Sequence, residues 1–86
     1  MPANQKTFTE IKREKFNAFR QSLRENAWVP PYSDSGALRG TDGLFADMQY
    51  DEPTGVVSFR IRELGKGQTY ASFFDKVENI LKGITT

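Results

Sequence analysis

The chain has 86 residues, no cysteine, no histidine, and a net charge of +1 from 12 basic and 11 acidic side chains. A chain this short forms one domain. Without cysteine or histidine it has no disulfide, no thiolate nucleophile, no Cys/His zinc site and no Ser-His-Asp or Cys-His catalytic group.

Aromatic content is 13% and mean hydropathy is −0.60. That balance suits a polar folded chain rather than a disordered one. The first residues, MPANQKTFTEIKREK, hold no apolar run of the signal-peptide kind, and nothing approaches a membrane span. With no cysteine, the expected compartment is a reducing cytoplasm. Charge is unevenly spread: residues 6–25 carry a net +3 and the remainder −2, with acidic groups concentrated at Asp34, Asp42, Asp47, Asp51 and Glu52. Such asymmetry can steer a charged partner.

Residues 1–6 read as a flexible leader and residues 7–86 as a single α+β domain. Thr7 and Glu10 have capping-box spacing, which predicts a helix from Phe8 to Asn26. Phe8, Ile11, Phe16, Phe19 and Leu23 would share one face. Lys6, Arg13, Arg20 and Arg24 would form a basic stripe on another.

Pro30 and Pro31 end that helix. Residues 27–43 read as a long aromatic and proline-rich loop, with room for an edge strand at Trp28–Tyr32. Trp28 is either a lid on a small core or an exposed anchor for a partner.

LFADMQY and VVSFRIREL each alternate apolar and polar residues, and DEPTG between them ends in glycine. This predicts an antiparallel hairpin with Asp47 near Arg60 or Arg62. From Thr69, the residues Tyr70, Phe73, Phe74, Val77, Ile80, Leu81 and Ile84 recur at helical spacing, with Gly83 as a stop. This amphipathic C-terminal helix should pack on the hairpin. Because its apolar face exceeds what two strands cover, a homodimer with a continuous sheet is one expectation.

Chemistry is sparse. Asp42, Asp47, Asp51 and Glu52 lie close in sequence without the pattern of an oxygen-ligand metal loop. LGKGQT precedes a helix, where free N–H groups can hold an anion, but it matches no phosphate-loop pattern. No metal, cofactor or catalytic group is expected.

The leading expectation is a non-enzymatic module that binds another protein as adaptor, regulator or inhibitor, through Trp28, Tyr32, Arg20 and Arg24. The alternative is a nucleic-acid-binding accessory protein using Lys6, Arg13, Arg20 and Arg24. Arg39, Arg60 and Arg62 would extend that surface, with Phe45 or Tyr50 for stacking.

Overall fold

The computed structural model describes residues 3–84. The elements run β1 (Gln5–Phe8), α1 (Arg13–Glu25), β2 (Trp28–Val29), β3 (Ser35–Gly40), β4 (Phe45–Asp51), β5 (Val56–Glu63) and α2 (Tyr70–Lys82). The five strands form one antiparallel sheet in the order β1-β5-β4-β3-β2. Both helices lie on one face of it, so the expected α+β class and the packing of the C-terminal helix on the sheet hold. No helix among the described residues is long and apolar enough to cross a membrane.

The hairpin forms as its alternation predicts. Ala46, Met48, Tyr50, Val57, Phe59 and Ile61 point inward and are buried. Gly55 closes the turn in the left-handed region (φ 68°), donating its N–H to Asp51 O at 2.8 Å. Helix α2 begins where expected. Thr69 Oγ1 accepts from the Ser72 N–H at 3.1 Å, and Ser72 Oγ accepts from the Thr69 N–H at 2.9 Å. Gly83 is its C-cap.

The N-terminal third departs from expectation. The Thr7–Glu10 capping box does not form, and the helix starts five residues later, at Arg13. Glu10 turns the chain at positive φ (62°). Ile11 is fastened to the hairpin: its N–H donates to Gly55 O (2.8 Å), and its carbonyl accepts from the Tyr50 hydroxyl (2.6 Å). Gln5 and Lys6, the end of the expected leader, belong to β1, which pairs along β5. The leader's residues 1 and 2, and the last two residues of the expected domain, lie outside the described residues. Strand pairing wins because it satisfies the free edge of β5 and sets Phe8 edge-on to Phe59, with centroids 5.9 Å apart.

The loop expected over 27–43 contains two strands. β2 is the short edge strand at Trp28–Val29, and β3 was hidden in SGALRG. Beyond Val29 the prolines run beside β3. A side chain at Gly36 would come within 2.7 Å of Pro31 Cβ. Proline against this edge offers no N–H to another strand.

The core is aromatic. Phe16 stacks on Tyr50 at 4.0 Å, Phe59 meets the rings of Phe8, Phe19 and Phe73 edge to face, and Trp28 lies against Phe73. Seven of the eleven aromatic side chains are buried, so the rings chiefly fill the core. Because α2 packs on a five-stranded sheet and against α1, rather than on two strands alone, the premise that its apolar face needs a second copy for cover falls away.

Candidate interaction surface

Alternation along each strand fixes what the uncovered face carries. Trp28, Leu38, Met48 and Phe59 point toward the helices, so their strand neighbours point away. The pairing registers sort the outward residues into rows across the sheet. One row runs Val29, Arg39, Phe45 and Glu63, the next Ala37, Asp47, Arg60 and Gln5, and the third Ser35, Gln49, Ser58 and Thr7. Arg62 occupies the irregularity beside Phe45, and Asp51 and Val56 lie at the hairpin end. None of these outward residues is buried.

The face is chemically mixed. Arg62 Nε donates to Asp47 Oδ2 at 2.6 Å, the cross-strand pair that the hairpin pattern predicted. The Arg39 guanidinium lies 5.1 Å from the centre of the Phe45 ring. Val29 is 62% exposed at the β2 edge. A shallow depression of about 370 Å³ opens between Gln5, Thr7, Gln49, Ser58 and Arg60. Three arginines, Arg39, Arg60 and Arg62, are balanced by Asp47, Asp51 and Glu63.

The partner residues expected from the sequence separate. Trp28 is 3% exposed, with Lys76 Nζ 4.7 Å from its ring centre. It is the lid, and the anchor reading of Trp28 is corrected: a ring sealed against Phe73 presents no surface. Tyr32 is 99% exposed. Arg20 lies over the Phe16 ring and donates to Tyr32 O at 3.0 Å, holding the proline segment to α1. Arg24 is exposed in the last turn of α1.

The basic stripe proposed for nucleic acid does not assemble. Lys6 is on β1 instead of α1, 3.9 Å from Glu78 of α2. Arg13 is occupied by two carboxylates. It donates to both oxygens of Asp34 at 2.8 Å and also pairs with Glu52. Arg20 and Arg24 alone remain along the helix. Tyr50 is buried, so of the two rings considered for stacking only Phe45 reaches the surface.

The carboxylates have separate tasks. Asp42 accepts from the Leu44 N–H, Asp47 binds Arg62, Asp51 accepts from the Thr54 hydroxyl, and Glu52 binds Arg13. Among the described residues no group of three His, Cys, Asp or Glu could hold a metal ion. At the start of α2 the Ser72 N–H is taken by the Thr69 side chain, which removes a donor that an anion would need.

The hydrogen bond from Arg13 holds Asp34 below the usual carboxylate range, and Asp34 with Glu52 raises Arg13. Lys82 lowers Glu78, and burial raises Tyr50. Because Asp34 and Glu78 are more acidic in the folded chain, their contribution to stability is complete above the ordinary carboxylate range, about pH 4, and disappears as pH falls through the lowered values. The melting temperature is therefore expected to fall as pH drops below about 4. An Arg13→Met variant should show a shallower fall, measured by circular dichroism from neutral to acid pH. Parallel curves would contradict the assigned Arg13–Asp34 coupling.

No family model, curated protein or solved structure matches the chain.

Proposed function

We propose that this protein is a non-catalytic module that binds another protein through the bare face of its sheet, acting as an adaptor, regulator or inhibitor. The observation that carries this reading is the outward row Val29–Arg39–Phe45, with Val29 and Arg39 exposed and Phe45 half-buried, on a face that neither helix covers. Aromatic and arginine side chains carry much of the energy at protein interfaces. The short side chains of Ser35, Ala37 and Ser58 on the same face let a partner approach closely.

Charge distinguishes the ligand classes. A nucleic-acid surface needs a net excess of Lys and Arg facing the phosphates. Three positive and three negative side chains instead suit a partner surface of mixed sign.

Capture from nuclease-treated lysate, with the wild type beside an Arg39→Ala/Phe45→Ala variant, tests the reading. A specific protein held by the wild type and lost by the folded variant is expected. Recovery of nucleic acid that disappears at raised salt would replace the proposal with the alternative.

A further inference from the structure

The two edges of the sheet are unequal. At the β2–β3 edge Pro30 follows the short strand β2 and Pro31 lies against Gly36 of β3, whereas β1 has no proline and pairs with β5 in continuous register. The Ile61 N–H donates to Asn4 O at 2.8 Å. In an antiparallel pair such contacts alternate, so Asn4, Lys6 and Phe8 turn their backbone groups toward β5. Gln5 and Thr7 turn theirs outward, where nothing among the described residues meets them. Lys6 points toward the helices, 5.4 Å from the Phe8 ring centre and 3.9 Å from Glu78, and so lies beside those outward groups rather than over them.

We propose that β1 pairs antiparallel with β1 of a second copy of the chain, joining two sheets into one of ten strands. Two twofold registers match the outward groups of Gln5 and Thr7 while retaining the middle of β1. Centring on Lys6 puts Lys6 opposite Lys6, and like charges directly opposed are unfavourable. Centring on Thr7 puts Thr7 opposite Thr7, Gln5 opposite Thr9, and Lys6 opposite Phe8 of the second copy. In that register each ammonium faces a ring. Charge therefore selects the Thr7 register. The two bare faces then become continuous, and the dimer presents the Val29–Arg39–Phe45 row twice. This inference does not depend on what the bare face binds.

The register can be read chemically because the chain has no cysteine of its own. Paired Thr7 residues would have Cα atoms about 5.5 Å apart, within the range of about 4.4–6.8 Å that a disulfide spans. The two Gln5 residues would be about 14 Å apart along the strands. Light scattering of the full chain should give a dimer mass. Thr7→Cys should oxidise to a covalent dimer while Gln5→Cys stays monomeric under the same conditions. Thr7→Pro removes the outward N–H, leaves the backbone groups of Lys6 and Phe8 that face β5 in place, suits an edge strand and should yield a folded monomer. A monomeric mass at all concentrations with no Thr7→Cys cross-link would overturn the proposal. So would a dimer trapped by Gln49→Cys and not by Thr7→Cys, since that result seats the second copy on the bare face.

Discussion

Phe59→Ala is expected to destabilise the protein by about 3–5 kcal/mol, the cost of deleting a large buried aromatic side chain. Phe59 is the central ring of the core: Phe8 of β1, Phe19 of α1 and Phe73 of α2 all meet it edge to face. Removing it loosens the sheet from both helices at once, and the cavity is bordered by rings that cannot collapse independently. For a domain of this size, each kcal/mol moves the melting temperature by roughly 4–8 °C, so a fall of at least about 12 °C should appear in a thermal scan. Phe59→Leu keeps most of the volume and should retain most of the stability. A Phe59→Ala protein within about 1 kcal/mol of wild type in urea denaturation would contradict this packing.

The paired substitution Arg39→Ala/Phe45→Ala should behave oppositely. Arg39 is exposed and Phe45 half-buried on the outer face, so the melting temperature should stay close to wild type. Affinity for the protein partner should fall at least about 30-fold, corresponding to the roughly 2 kcal/mol that marks an interface hot spot. The contrast matters because Phe45 and Phe59 lie on adjacent strands and differ chiefly in which face they occupy. Tyr32→Ala and the pair Arg20→Ala/Arg24→Ala alter the proline segment and the exposed side of α1, and should cost less. If those variants lose the partner while Arg39→Ala/Phe45→Ala retains it, the contact surface lies at the end of α1.

The legible parts of the fold are those with uninterrupted periodicity. β4, β5 and α2 follow from alternation or helical spacing, and the buried Phe16, Phe19 and Leu23 of α1 follow from theirs. β1 was illegible because Thr7, Phe8 and Ile11 also fit a helix start; pairing with a strand some fifty residues away decided between them. β3 was illegible because SGALRG buries only Leu38 and its glycines resemble a loop. One of those glycines is there because Pro31 leaves no room for a side chain, a contact that exists only after folding.

The surface was partly legible. Asp47 with Arg62 follows from the hairpin, and Arg39, Arg60 and Phe45 stand out by residue type. Their shared face becomes visible only once both helices are known to occupy the opposite side. Val29 was overshadowed by its larger neighbour Trp28. Its signal was present nonetheless: in a strand, a tryptophan facing the core sends the next residue outward.

A photo-crosslinking residue introduced singly at Gln49, Ser58, Glu14 and Asp75 tests the central claim most directly. The first two positions lie on the bare face, and the others are exposed on α1 and α2. The account predicts that Gln49 and Ser58 yield the same nuclease-resistant protein adduct, lost in the Arg39→Ala/Phe45→Ala background, while Glu14 and Asp75 yield none. Adducts from the helix positions, with none from Gln49 or Ser58, would contradict it.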